Sequence, residues 1–354
     1  MKPVPLNDFP HSKMTEMENF IKGMPKAELH LHIEGTIGSE KKIELAQRNK
    51  IKLPYKNEKE VISSYNYTDL EDFLRIYYEG IKLLKTERDF YEITSTFLKR
   101  CQKENIIYVE ISFDPQPHLA RKIPFEVFMG GILAARTEAR KEFGVISNLI
   151  MCINRDRPIE EAFSLFDQVL PWREEITGFG LDSSEFNNPP VKFEELYARA
   201  KLEGYRLTAH CDVDQKDSVE HIWQCIDVLG VERVDHGVNS LEDPMLIDAL
   251  IERDICLTVC PTWRPCDLKP RRTERLKKLF ELGVKVTINT DDPGLFSSGY
   301  LTKTLCGVQS TSGYSKPEMI KLMKNAFLGS WISKEEKDGY LEQLSEYERS
   351  AISN

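Results

Sequence analysis

The chain carries a His-Leu-His triplet at 30–32, a third histidine at His210, a fourth at His236 and an acid pair at Asp291 and Asp292. Two imidazoles at i and i+2 of an extended run share one face, where a single cation can bridge them. Taken alone, such a pair is equally well explained by packed or hydrogen-bonded histidines. A third histidine and an acid pair, each ending a separate β-branched run, weaken that explanation, because the strand ends of one barrel converge in space. Three neutral imidazoles and one carboxylate, from His30, His32, His210 and Asp291, suit one Zn²⁺ and leave a position for water, whose pKa the ion lowers. Fe²⁺ and Mn²⁺ accept the same ligand types.

Such residues need elements that aim them at one point. Eight short apolar, β-branched runs are expected as strands, at 27–32, 106–113, 145–153, 178–182, 205–212, 231–236, 256–260 and 284–291. Between them, 69–85, 125–143, 191–203, 218–229, 243–253 and 272–282 show helical spacing of apolar residues, with Gly204 and Gly283 as stops after two of them. Alternating strands and helices predict an α/β fold, here a (β/α)₈ TIM barrel with additional helices. Every histidine and acid named above then lies at a C-terminal strand end, where barrels carry their active sites. The long polar stretch 49–72 reads as an excursion before the first barrel helix, and residues from Tyr314 onward as helices covering the outside or one end of the barrel. No internal repeat or Pro/Gly-rich linker divides the chain. One domain, 1–354, is expected, with the barrel over about 24–333 and a C-terminal helical extension over 334–354.

Composition narrows the function classes. With 48 Lys and Arg against 57 Asp and Glu, the formal net charge is −9, which argues against a phosphate-backbone binder. The basic run from Lys269 through Arg271, Arg272, Arg275 and Lys277 to Lys278 reads as a solvated helix face. The eight cysteines are dispersed, so reduced thiols are expected rather than a disulfide framework, and core packing accounts for Cys256 and Cys260 on one face of a strand. The first twenty residues lack the apolar core of a signal peptide, and no run approaches the roughly 20 apolar residues that span a bilayer. The expectation is a cytoplasmic protein with a small-molecule partner, no nucleic acid and no membrane; oligomeric state is not readable from these features.

The segments PKAELHLHIEGT, YVEISFDPQ, GLDSSE, LTAHCD, ERVDHG, LTVCP and VKVTINTDDP, in that order, resemble the adenosine and adenine deaminase family of the amidohydrolase superfamily. The likeness covers most of 24–333 and extends to NAFLGSW. GLDSSE, DPQPH and the short form of the domain are more similar to the adenine deaminase branch. The resemblance implies a (β/α)₈ fold, one zinc on His30, His32, His210 and Asp291, and metal-dependent hydrolysis of a C–N bond in a small nitrogen heterocycle. It also implies a catalytic group of His236, Asp291 and Asp292, in which His236 activates or orients the attacking water and stabilises developing charge, while Asp292 bonds the substrate ring. Ser183, Ser184 and Glu185 fall where the family lines its substrate pocket.

Departures from the family pattern concentrate around that pocket. The family reads His-Ala-Gly-Glu after the fifth strand, with the Glu as general acid, whereas this chain reads His210-Cys211-Asp212-Val213. Valine transfers no proton, and loss of one acid–base group typically costs about 10²–10⁴ in rate. Three accounts stay open: Asp212 or Asp214 takes the role, the substrate has changed so that the proton is not needed, or the site is retained for binding alone. After the seventh strand the adenine branch reads Cys-Pro-Leu-Ser-Asn, whereas this chain reads Cys260-Pro261-Thr262-Trp263-Arg264, and Arg264 is a candidate partner for an anionic or carbonyl group of the substrate. The loop at Phe296–Tyr300 is one residue longer than the family's. Two altered loops beside a lost acid, with the metal residues intact, point to a hydrolase whose substrate has diverged from adenine. The rival is a metal-binding homologue acting in ligand binding or regulation. A cytidine-type deaminase is set aside because Pro265-Cys266 has no cysteine three residues on, and a serine hydrolase because no G-x-S-x-G turn exists.

Overall fold

Strands buried on both faces must be apolar at nearly every position, and the eight runs that meet this condition form one parallel sheet. In the computed structural model, which describes residues 14–211, 215–261 and 271–352, these are β1 (Lys26–Glu28), β2 (Ile106–Phe113), β3 (Ile146–Asn154), β4 (Gly178–Asp182), β5 (Arg206–Cys211), β6 (Arg233–His236), β7 (Cys256–Val259) and β8 (Lys285–Ile288). Each pairs with the next in sequence order, the sheet of a (β/α)₈ barrel. The register sets His210 of β5 directly against Asp235 of β6, an adjacency that matters at the site.

The seam between β8 and β1 departs from the expected strands at 27–32 and 284–291. After Glu28 the ladder is interrupted, because the N–H of Leu29 bonds the side chain of Asn289 (2.8 Å) and Glu28 Oε1 accepts from the N–H of Thr290 (3.0 Å). Backbone pairing resumes one step later, with His32 N–H donating to Asp291 O (2.9 Å) and Asp291 N–H to His30 O (3.1 Å). Three of the residues expected to hold a metal, His30, His32 and Asp291, therefore sit where the barrel closes on itself.

The opposite end is plugged by the segment NAFLGSW. The Trp331 ring lies under the Arg233 guanidinium, 3.7 Å from its centroid, and the Trp331 N–H donates to Glu110 (2.6 Å), which is ion-paired with Arg233 inside the barrel. Gly178 makes room: a Cβ there would come within 2.5 Å of the Trp331 ring. The helices Lys316–Gly329 and Lys334–Ile352 pack on this assembly, the first against β8 and β1, as expected for the chain from Tyr314 onward.

One helix occupies a different place from the expected one. The spacing over 69–85 produces the helix Leu70–Ile81, yet it is not the first outer barrel helix. That position belongs to Glu87–Lys103, which packs on β2 and on the helix Phe125–Phe143. Leu70–Ile81 instead lies across the C-terminal mouth of the barrel. Its apolar face, with Phe73, Ile76 and Tyr77, forms a core of its own with Val61, Tyr65, Tyr67, Leu295 and Phe296, separate from the main barrel core. The Phe73 and Phe296 rings stack at 5.0 Å. The stretch 49–72 is thus the approach to a lid, and it contains the short helix Glu58–Ser64. Among the described residues no helix is long and apolar enough to cross a membrane.

Candidate metal centre and active-site pocket

Strand ends and the seam bring His30, His32, His210 and Asp291 together, with one donor atom from each inside a 4.8 Å cluster. His32 Nε2 faces His210 Nε2 at 3.1 Å, and Asp291 Oδ1 lies 3.4 Å from His30 Nε2 and 3.6 Å from His32 Nε2. Tetrahedral donors at zinc bond lengths would stand ~3.3 Å apart. The donor set fits that spacing.

The far ring nitrogens explain why the near ones converge. His30 Nδ1 contacts the Thr258 carbonyl (3.2 Å), His210 Nδ1 faces Asp235 Oδ2 (3.2 Å), and His32 Nδ1 faces Asp182 Oδ2 (3.5 Å). The Thr258 carbonyl favours the His30 tautomer with its proton on Nδ1, and the nearby carboxylates of Asp235 and Asp182 favour the same protonation in His210 and His32 by charge, which leaves Nε2 lone pairs toward the centre. His30 Nε2 is buried without a hydrogen-bond partner, an orphan that a cation would satisfy.

Charge follows the same plan. Burial works against ionisation of Asp235 and Asp291, but His30 and His210 beside the first, and His30 and His236 beside the second, hold both carboxyls well below the usual range. Burial, together with neighbouring His210, lowers His32 to about 4, so its imidazole is neutral, the form that ligates metals. Asp292 behaves oppositely: burial and the adjacent Asp291 raise it well above an ordinary carboxyl. Two adjacent acids are thereby pushed in opposite directions. Gly35 admits this arrangement, since a Cβ there would stand 1.8 Å from Asp292 Oδ1.

His236 places Nε2 3.9 Å from Asp291 Oδ2, at the edge of the cluster. His236, Asp291 and Ser183 all adopt left-handed backbone, at φ 64°, 63° and 71°. Each such residue costs on the order of 1–3 kcal/mol, and here the conformation places three residues that line the pocket.

Above the donors opens a pocket of about 520 Å³ including its mouth. One wall is apolar, from Leu70, Phe73 and Leu74 of the lid helix and from Phe296, while Asp114, Asp182, Ser183, Glu185 and Asp292 supply polar groups. Ser184 does not line it; its hydroxyl bonds Glu71 on the lid helix, as Ser183 bonds Tyr78 (2.7 Å). Asp212, Val213, Asp214, Trp263 and Arg264 lie outside the described residues. Several further participants are visible only in three dimensions: Asp235 and Thr258 behind the histidines, Asp182 behind His32, Arg155 beneath Glu185, and the lid aromatics. Asp235 stands beside His236 in the ERVDHG segment, but nothing in its spacing marks it as a partner of His210.

The adenosine deaminase family model matches residues 25–347. An uncharacterized deaminase of Schizosaccharomyces pombe is 43% identical over 94% of this chain and 98% of its own length. An adenine deaminase of Acinetobacter baylyi is 39% identical, with 92% and 98% covered. The crystal structure of an adenine deaminase from Arthrobacter aurescens superposes with a TM-score of 0.88 at 35% identity, covering 92% of this chain and all of that one.

Proposed function

The chain belongs to the adenosine deaminase family, whose members are metal-dependent aminohydrolases acting on C–N bonds, and from that premise we propose that it hydrolyses the exocyclic C–N bond of an adenine-like heterocycle diverged from adenine itself. The observation that carries this reading is the convergence of His30, His32, His210 and Asp291 beneath a single pocket that also holds His236 and Asp292. The four would hold the divalent ion, and three imidazoles with one carboxylate at near-tetrahedral spacing favour zinc. Bound there, such an ion supplies the Lewis acidity that ionises water near neutral pH.

The remaining steps belong to side chains. His236, at the rim of the donor set, takes up the proton of the attacking water and faces the charge that develops as the ring carbon becomes tetrahedral. Asp292, whose carboxyl is pushed upward by burial and by Asp291, bonds the substrate ring. Leu70, Phe73, Leu74 and Phe296 cover the ring and exclude water. The family's general acid is absent at Val213, so the substrate is one whose ring nitrogen does not draw its proton from that position. The test is a screen of the zinc-loaded protein against adenine, N6-substituted purines, pterins and triazines for released ammonia or amine. Turnover of one or more of these, abolished by chelation, supports the reading; no amine release from any of them refutes it.

A further inference from the structure

We propose that Tyr77 is a positioning residue for the metal centre: its hydroxyl, acting through Asp114 and Asp182, braces His32 from behind, so that the seated lid helix itself helps to hold the ion. The proposal rests on the metal-centre reading above and adds to it a link between the lid and one of the four donors.

His32 is the least firmly backed of the three histidines. His30 Nδ1 meets the carbonyl and the hydroxyl of Thr258 at 3.2 and 3.1 Å, and His210 Nδ1 faces Asp235 at 3.2 Å. His32 Nδ1 has Asp182 Oδ2 at 3.5 Å and, among the described residues, no hydrogen-bond partner. How well its ring is aimed therefore depends on how Asp182 is held. Asp182, at the end of β4, accepts from Asn154 Nδ2 on its Oδ1 (3.0 Å), and its carboxyl meets that of Asp114, which follows β2. One atom each from His32, Asp114, Cys152 and Asp182 lies within 4.8 Å of the others.

Tyr77 completes this group from the lid. Its Oη donates to Asp114 Oδ2 (3.1 Å), and burial with acids nearby raises its pKa well above the ordinary phenol range, which keeps it a donor. Asp114 Oδ1 is buried without a hydrogen-bond partner among the described residues, so the Tyr77 hydroxyl is what fixes the rotation of this carboxyl against Asp182. Removing the hydroxyl alone leaves the helix in place, because the Phe73–Phe296 stack (5.0 Å) and the Lys42–Glu79 ion pair (2.5 Å) hold its two ends. The dependence is mutual: whatever seats the lid strengthens the backing of His32, and an ion that fixes His32 favours the seated lid.

The experiment measures zinc affinity by chelator competition in the parent chain, Tyr77→Phe, Asp114→Asn and the double variant, with melting temperature as the control for folding, and records the visible spectrum of the cobalt-substituted parent and Tyr77→Phe. Tyr77→Phe should weaken zinc binding by about 3- to 10-fold, the worth of one hydrogen bond, and should shift the cobalt bands, which a purely packing role would leave unchanged. Because Tyr77 acts through Asp114, the double variant should bind zinc within about twofold of Asp114→Asn alone. Parental zinc affinity or parental cobalt bands in folded Tyr77→Phe, or losses in the two single variants that simply multiply in the double, overturn the proposal and leave the metal centre standing. A parent chain that binds no divalent ion overturns it together with the metal-centre reading. Neither result depends on whether amine release is observed.

Discussion

Replacing Asp235 with asparagine should weaken metal binding without disturbing the barrel. Asp235 is 4% exposed and faces His210 Nδ1 at 3.2 Å and His30 Nδ1 at 3.8 Å, while Thr258 Oγ1 donates to it at 2.6 Å. The isosteric amide keeps an acceptor oxygen for His210, and its N–H can donate to the Thr258 hydroxyl, but the negative charge facing the two histidines is removed. Among the described residues, Asp235 is the charged group that faces His210 Nδ1, and that charge is lost. His30 retains the Thr258 carbonyl at 3.2 Å and is less affected. A hydrogen bond to a buried charged group is worth about 1.5–3 kcal/mol, or roughly 10- to 100-fold in metal affinity, the range typical of residues that orient metal-binding histidines. Competition titrations with a zinc chelator measure it directly, and turnover at saturating zinc separates affinity from chemistry. Thr258→Val, which keeps the carbonyl and removes only the hydroxyl, should cost less. Unchanged zinc affinity in a folded Asp235→Asn variant would refute the argument that this carboxylate sets the tautomer of His210.

Three other outcomes are expected. Val213→Glu should raise adenine deamination by about 10²–10⁴ if the rest of the machinery suits adenine; a steady-state assay with no gain means that the pocket has diverged as well. Phe73→Ala removes the ring stacked on Phe296 and should destabilise the lid by about 3 kcal/mol, seen as faster hydrogen exchange across Leu70–Ile81 with the barrel strands unaffected. His118, buried and flanked by Arg121 and Glu34, has its pKa lowered to about 3, first by burial and then by the Arg121 charge. Its folded value lies below its unfolded one, so its contribution is fully present above about pH 6.5 and is lost as pH falls toward 3, at on the order of 1.4 kcal/mol per pH unit. Denaturation of His118→Gln should show a shallower acid dependence than the parent chain, and identical slopes would contradict it.

The strands were legible because barrel strands, covered on both sides, spell themselves out as continuous apolar runs; β2 and β4 fall on the expected bounds. Legible too was the convergence of His30, His32, His210 and Asp291, since a histidine or acid ending such a run has few structural uses. The seam was not. Whether Leu29 pairs with a backbone or with the Asn289 side chain depends on how β8 arrives, which no local pattern encodes. Amphipathic spacing announced the lid helix but not its seat, because the partner of Phe73 is Phe296, far along the chain. Asp235 escaped notice for a related reason: its role comes from the register that sets it against His210. Glu185 was reachable only through family likeness, and its pairing with Arg155 only through the packing of β3 beside β4.

The central claim is a four-residue metal centre whose ion is held independently of the histidine that handles protons. Metal content and amine release measured together on the parent chain, His210→Ala, Asp291→Ala and His236→Ala test it most directly. One divalent ion per chain is expected in the parent, with metal and turnover lost together in His210→Ala and Asp291→Ala, and metal kept but turnover lost in His236→Ala. A parent chain that binds no divalent ion, or a His236→Ala variant with near-parental turnover, would contradict it.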